Sequence, residues 1–150
     1  MSELKSIKEK ICAYCAYQER TQQEVRHKLW DLGIKYDQAE EVIAYLINEN
    51  FINEERFALT YAGGKFRINK WGRLKIKEGL QQKGVFAYCL NLALKSLDED
   101  EYLQTLREII DKKDFIEREA NPFKRNHKIA RFAISKGYEP ELVWSILKDN

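Results

Sequence analysis

Proline and glycine are scarce in this chain, at two and seven of 150 residues. A fold made of strands needs frequent turns, so the shortage excludes an ordinary sandwich or barrel. Long apolar runs are missing too. No stretch approaches the roughly 20 apolar residues that span a bilayer. The opening, MSELKSIKEKICAY, mixes charge with its apolar positions instead of forming a signal core. No membrane association is expected, and the cytoplasm is the expected compartment. Cysteine is limited to three, an odd number that argues against a disulfide framework and fits a reducing environment. Cys12 and Cys15 form a CxxC, but no second Cys/His pair with ligand spacing follows it. Cys15 shares one helical face with Leu4, Ile7, Ile11 and Tyr14, which favours a buried helix over metal or redox chemistry.

Catalytic signatures are absent as well. Gly63-Gly64 lacks the following Lys-Ser/Thr of a phosphate loop. His27 lies six residues before Gly33, whereas His127 lies ten before Gly137, and neither sits beside a Cys, Ser or carboxylate cluster at a recurring spacing. Surface or packing roles suit both histidines. The carboxylates of 98–119 occupy capping and solvent positions and match no EF-hand or paired-acid pattern. No enzyme activity, catalytic residue, metal or cofactor is expected.

What the sequence does contain is a block repeated three times. With Gly33, Gly84 and Gly137 aligned, Val25, Ile76 and Ile129 stand eight residues upstream, and Leu29, Leu80 and Ala133 four upstream. Ile34, Val85 and Tyr138 follow at once; Ala39, Leu90 and Val143 come six downstream, and Ile43, Leu94 and Leu147 ten downstream. The glycines are 51 and 53 residues apart, so one supersecondary unit recurs three times. The expected fold is all-α, with three tandem three-helix repeats over 1–52, 53–97 and 98–150 forming an elongated, curved array. Such arrays serve to bind partners rather than to enclose a catalytic pocket.

The helix signals agree. A first helix is expected near residues 3–18. Thr21 and Glu24 form a capping box that starts a second helix, and Gly33 supplies its left-handed end. Asp37 and Glu40 suggest a similar box before a third. Asn53 caps the next helix with Glu54 and Glu55 in its first turn, while Gly63-Gly64 is expected to weaken or bend it. A break falls at Trp71-Gly72, and a helix over roughly 86–97 completes the second repeat. Asp98 with Glu101, Asn121-Pro122 and Pro140 mark the helix starts of the third.

The net charge of +2 hides uneven blocks. Residues 65–83 hold Lys65, Arg67, Lys70, Arg73, Lys75, Lys77 and Lys83 against Glu78 alone. Residues 120–136 hold Lys124, Arg125, Lys128, Arg131 and Lys136 with no carboxylate. Between them, 98–119 carries nine carboxylates against four cations. Solvated helix faces account for most such runs. The alternative is two basic patches that meet phosphates or an acidic protein surface. Lys124, Lys128 and Arg131 fall on one stripe; Lys70, Arg73 and Lys77 do so only if helical geometry runs through Gly72. Trp71 and Phe66, beside these cations, are candidates for base stacking, although packing is the commoner fate of such aromatics. Trp30 and Trp144 belong to apolar helix faces.

Three stretches together resemble the RecX family. They are Arg20-Thr21 through Glu24-Val25 and Lys28-Leu29; Phe51-Ile52-Asn53-Glu54-Glu55-Arg56-Phe57-Ala58; and Arg67 followed by Gly72, Ile76, Leu80 and Lys83-Gly84-Val85. Gly63-Gly64, where the family has better helix formers, and Asn53, where an aspartate is common, depart from its pattern. The resemblance implies a non-enzymatic regulator that binds the RecA recombinase in the groove of its filament on single-stranded DNA. It further implies modulation, usually inhibition, of filament extension, ATP hydrolysis, strand exchange and coprotease activity. Direct DNA binding would be weak, and a monomer is expected. A helical nucleic-acid-binding module acting as a transcription regulator is the alternative, although no single helix concentrates cations with base-reading side chains at its N-terminal end.

Overall fold

The computed structural model describes residues 2–149, and among these it contains nine α-helices and no strand. In chain order they are α1 (Ser2–Tyr17), α2 (Gln22–Asp31), α3 (Tyr36–Asn48), α4 (Glu54–Arg67), α5 (Arg73–Gln82), α6 (Ala87–Lys95), α7 (Glu99–Ile116), α8 (Pro122–Ser135) and α9 (Pro140–Asp149). The fold is all-α, built from three-helix domains in tandem.

The repeated glycines have a common geometry. Gly33, Gly84 and Gly137 follow α2, α5 and α8 with φ of 87°, 74° and 102°. A side chain is strained in that left-handed region, and glycine is not. In each case the residue after the glycine returns its N–H to a carbonyl five residues back: Ile34 to Leu29, Val85 to Leu80 and Tyr138 to Ala133. This turn drops that residue's side chain into the core. Fourteen of the fifteen aligned apolar positions are buried, Leu94 alone being half-buried.

Two compact units hold these helices. One comprises the chain through Thr60 together with Leu80–Leu92. In it α1 packs on α2 and α2 on α3, around Ile11, Val25, Leu29, Ala39, Ile43 and Leu46. The capping box at the start of α2 is complete. The Glu24 N–H donates to Thr21 Oγ1 at 3.0 Å, and the Thr21 N–H donates to Glu24 Oε1 at 3.0 Å. No such box starts α3. That helix begins at Tyr36 after Lys35, which makes no side-chain cap hydrogen bond. Glu40 turns instead to Arg26 on α2, taking Nε at 2.6 Å and Nη2 at 3.2 Å. A bidentate guanidinium is a stronger partner than one backbone N–H, and it holds the Glu40 carboxyl below its usual range.

The Phe51–Ala58 motif is structural in this unit. Asn53 Oδ1 accepts from the Arg56 N–H at 2.9 Å and so caps α4. The Arg56 guanidinium donates to Glu19 Oε1 at 2.5 Å and to the carbonyls of Asn50 and Phe51 at 3.1 and 3.4 Å. One side chain thereby ties α4 to the turn before it and to the segment ahead of α2. Phe57 and Ala58 are buried and Phe51 is half-buried. Glu54 is buried as well and accepts from the Gln22 N–H at 3.0 Å; its loss of water raises its pKa.

The other unit comprises Tyr61–Gly79 and the chain from Ala93 onward. Here α7 packs on α8 and α8 on α9. Asp98 caps α7 by accepting from Glu101, and Asn121 caps α8 by accepting from Lys124, with Pro122 in the first turn. Gly63-Gly64 does not break α4, which continues to Arg67. The buried side chains of Ala58, Ala62 and Phe66 recur every four residues along it. Burial on that scale outweighs the roughly 1 kcal/mol that each helical glycine costs.

Two loops of this unit meet backbone to backbone. The Gly72 N–H donates to the Lys136 carbonyl at 2.8 Å, and the Leu74 N–H donates to the Gly137 carbonyl at 2.9 Å. A Cβ on Gly72 would overlap the Gly137 carbonyl and the Tyr138 nitrogen, which are main-chain atoms unable to swing aside. Gly72 is therefore needed for close approach.

Leu80 is wholly buried. Leu80→Ala is expected to cost about 2–5 kcal/mol, and Gly72→Ala about 1–3 kcal/mol or more. Urea unfolding followed by helical circular dichroism measures both. A loss below about 1 kcal/mol at Leu80 would mean that the repeat register is wrong.

Candidate partner interface

The cations singled out in the sequence divide into those used to hold the fold and those left at the surface. Arg73 belongs to the first group. Half-buried at the start of α5, it pairs with Glu139 at 2.7 Å and with Glu99, and its guanidinium lies 3.8 Å from the centre of the Tyr102 ring. The Arg73 N–H donates to the Tyr102 hydroxyl at 2.9 Å, and that hydroxyl donates to Glu139. Tyr102 in turn packs against Phe66 and Tyr138, with ring centres 5.7 and 5.1 Å away. Burial and the Glu139 carboxylate both push the Tyr102 hydroxyl far above its ordinary range. Phe66 is thus a core residue and offers no face to a base.

Arg125 is used similarly. It donates to Asp114 Oδ1 at 3.0 Å and to the carbonyls of Glu117 and Glu119 at 2.6 and 3.1 Å. It thereby joins the end of α7 to the start of α8. Lys83, in the other compact unit, sits 3.6 Å from Glu24.

Arg67, Lys70, Lys77, Lys124, Lys128 and Arg131 are exposed and Lys75 is half-buried. The stripe of Lys70, Arg73 and Lys77 does not form, because α5 begins only at Arg73. Lys70 lies in the preceding turn with φ of 60°, a left-handed backbone unusual for lysine. Lys124, Lys128 and Arg131 do share α8. Lys128 is loosely held 3.8 and 3.9 Å from Glu117 and Glu119. Trp71 is half-buried, with the ammonium groups of Lys65 and Lys75 at 4.8 and 4.7 Å from its ring centre. Trp144 packs edge-on to His127, and half-exposed Trp30 packs on His27.

The structure also assembles a cleft from residues the sequence leaves apart. Ile109 and Ile116 of α7 and Phe132 of α8 line it, together with Lys70, Lys112, Lys113 and Lys136; its volume is about 270 Å³. Beside it a second depression is lined by Lys113, Glu117, Lys128, Arg131, Phe132 and Ser135. Lys112 and Lys113 are easy to miss because α7 is acidic on average. Its first turn carries Glu99, Asp100 and Glu101, whereas the lysine pair and the apolar Phe115-Ile116 pair stand near its other end. Splitting α7 by halves would have found them. The Glu117 carboxyl lies below its ordinary range. Desolvation pushes it up, but the Glu119 N–H, Lys128 and Lys113 together outweigh this.

The CxxC takes no part in such a surface. Cys15 is buried in the core around α1, and burial pushes its thiol up to about 11, so it remains protonated and unreactive at neutral pH. Among the described residues no group of three or more His, Cys, Asp or Glu side chains is placed to hold a metal ion. Among the same residues no helix is long and apolar enough to cross a membrane.

An all-helical scaffold of three-helix domains in tandem defines a helical repeat protein. Models of the first, second and third three-helix domains of RecX match residues 8–46, 53–94 and 99–147 in that order, and the chain belongs to the RecX family. It is 33% identical over 131 residues to regulatory protein RecX of Clostridium perfringens, spanning 86% of this chain and 61% of that one. It is 34% identical to regulatory protein RecX of Clostridium tetani, spanning 85% and 59%. The chain thus spans about three fifths of the length of these relatives. Among solved structures, RecX from Lactobacillus salivarius has the same fold, with a TM-score of 0.88 at 23% identity over 99% of this chain and 96% of that one.

The two groups of cations separate on substitution. Arg73→Ala, which removes the guanidinium from Glu139, Glu99 and the face of the Tyr102 ring but keeps the backbone bond to the Tyr102 hydroxyl, is expected to cost about 2–3 kcal/mol. Lys112→Ala is expected to stay within about 0.5 kcal/mol of the parent. Thermal unfolding of the two variants checks this; equal melting temperatures would remove Arg73 from its structural role.

Proposed function

We propose that the chain is a non-enzymatic regulator that binds the RecA recombinase and its filament on single-stranded DNA. In this reading it modulates, usually by inhibition, filament extension, ATP hydrolysis, strand exchange and coprotease activity in DNA repair and the SOS response. The observation that carries the reading is the ordered run of three RecX domains over residues 8–147, in a family whose curated members bear the name regulatory protein. The exposed cations of α8 and the lysine-lined cleft beside them supply a surface for an anionic partner. The repeats run over 1–52, 53–97 and 98–150, and the protein acts as a monomer in the cytoplasm. No cofactor is required, because the nucleotide turnover belongs to the recombinase.

Direct action on DNA is the second reading. Trp71 with Lys65 and Lys75 favours it, since an indole with two ammonium groups beside it combines a ring for base stacking with cations for phosphates. Arg67, Lys77 and Lys124 would then add phosphate contacts. Each contact made on single strands should steepen the salt dependence by a log–log slope of roughly −0.7.

ATP hydrolysis by the cognate recombinase on single-stranded DNA, with this protein titrated in, separates the readings. Inhibition at substoichiometric levels that saturating DNA does not relieve supports the recombinase regulator. Unchanged hydrolysis and filament length, together with tight salt-dependent binding to bare DNA, supports the nucleic-acid module. Charge reversal of Lys124, Lys128 and Arg131 to glutamate is expected to weaken binding to the filament while leaving helical content intact. Unchanged filament binding by that variant at physiological salt would remove the α8 face from the interface.

A further inference from the structure

The cleft between the C-terminal half of α7 and α8 has a composition that narrows its occupant. Its floor is aliphatic and aromatic, and among the described residues its charged lining consists of lysines, of which Lys113 alone is paired, 3.6 Å from Glu117 at the edge of the neighbouring depression. Ile116 and Phe132 are 66% and 41% exposed, a poor arrangement for apolar groups that nothing covers. At about 270 Å³ the cleft falls just under the ~300 Å³ lower end of small-molecule pockets, a size suited to anchoring side chains.

Lys70 adds a separate indication. Its left-handed backbone is one that glycine would adopt without strain, and the Tyr138 hydroxyl fixes its carbonyl at 2.9 Å. A turn that would be more relaxed with glycine instead carries a rim cation, at a cost to the fold.

From these features we propose that the cleft binds an acidic peptide segment carrying one or two bulky apolar side chains. The apolar groups would cover Ile109, Ile116 and Phe132 while the carboxylates face Lys70, Lys112 and Lys136, Lys113 being held by Glu117. A nucleic acid fits less well. It is uniformly anionic, has no aliphatic anchor for the isoleucines, and is met best by arginine forks and open aromatic platforms. The proposal rests on the function proposed above only for the identity of the protein that bears the segment.

The test is fluorescence anisotropy with the full chain and a labelled short peptide of aspartate and glutamate bearing two leucines one helical turn apart. Controls are the same peptide with alanine for leucine, the same peptide with amides for acids, and unlabelled oligothymidylate as competitor. The acidic leucine peptide is expected to bind, and both altered peptides to lose most of that binding. Lys70→Gly combined with Lys112→Ala should weaken it by about tenfold, since a few buried or rim contacts dominate such sites. The melting temperature of that variant should be unchanged or higher, because glycine suits the turn. Phe132→Ala should weaken binding while leaving the lysines in place.

Equal binding of the alanine peptide would overturn the proposal by reducing the site to bulk charge. Displacement by oligothymidylate with loss on Lys70→Gly would make the cleft a nucleic-acid surface. No binding of the acidic leucine peptide at physiological salt would also overturn it. Because no recombinase is present, peptide capture by a chain that leaves recombinase hydrolysis untouched would refute the recombinase reading alone.

Discussion

A left-handed turn after the second helix of every repeat is the constraint on which the rest of the structure depends. At Gly33, Gly84 and Gly137 the chain reverses through a conformation that side chains resist, and the next residue enters the core. The following helix then starts in a register that buries Ala39, Leu90 and Val143. An alanine at any of the three would strain the turn and shift the helix beyond it. Stability in each unit is therefore coupled to a few backbone torsions as much as to apolar area.

Charge has two functions in the molecule. Arg26, Arg56, Arg73 and Arg125 are spent internally, each joined to a carboxylate on another segment. Three of them also lie among residues the sequence presents as motif or patch. Arginine suits that work because its planar fork satisfies several acceptors at once. Lysines dominate the rim of the α7–α8 cleft and flank Trp71. They are strongly hydrated point charges on flexible stems and keep their charge close to water.

The periodic part of this design was legible from residues alone. The aligned glycines and their apolar neighbours announced the repeats, and Thr21, Asn53, Asp98 and Asn121 announced four helix starts because capping is a local interaction. Long-range pairing was not legible. Arg73 reads as one cation of a basic run, but its partners Glu99 and Glu139 are far away in the chain. Asp37 and Glu40 suggested a cap that Arg26 forestalled by claiming Glu40. Averages misled at α7, where acidic residues at one end concealed the lysine pair near the other. Gly63-Gly64 suggested a weakened or bent helix because propensity is local, whereas the burial of Ala62 and Phe66 is not.

The seam between Gly72 and Gly137 gives a connecting loop an unusual character. Loops ordinarily exchange their amide hydrogens with water quickly, since those amides bond to solvent. Here the Gly72 and Leu74 amides bond to carbonyls of a turn more than sixty residues away. Their exchange cannot proceed by local fraying of α5 alone; the two loops must part first. Isotope uptake at these two amides would therefore report the parting of the two loops, from a position that looks peripheral in the chain.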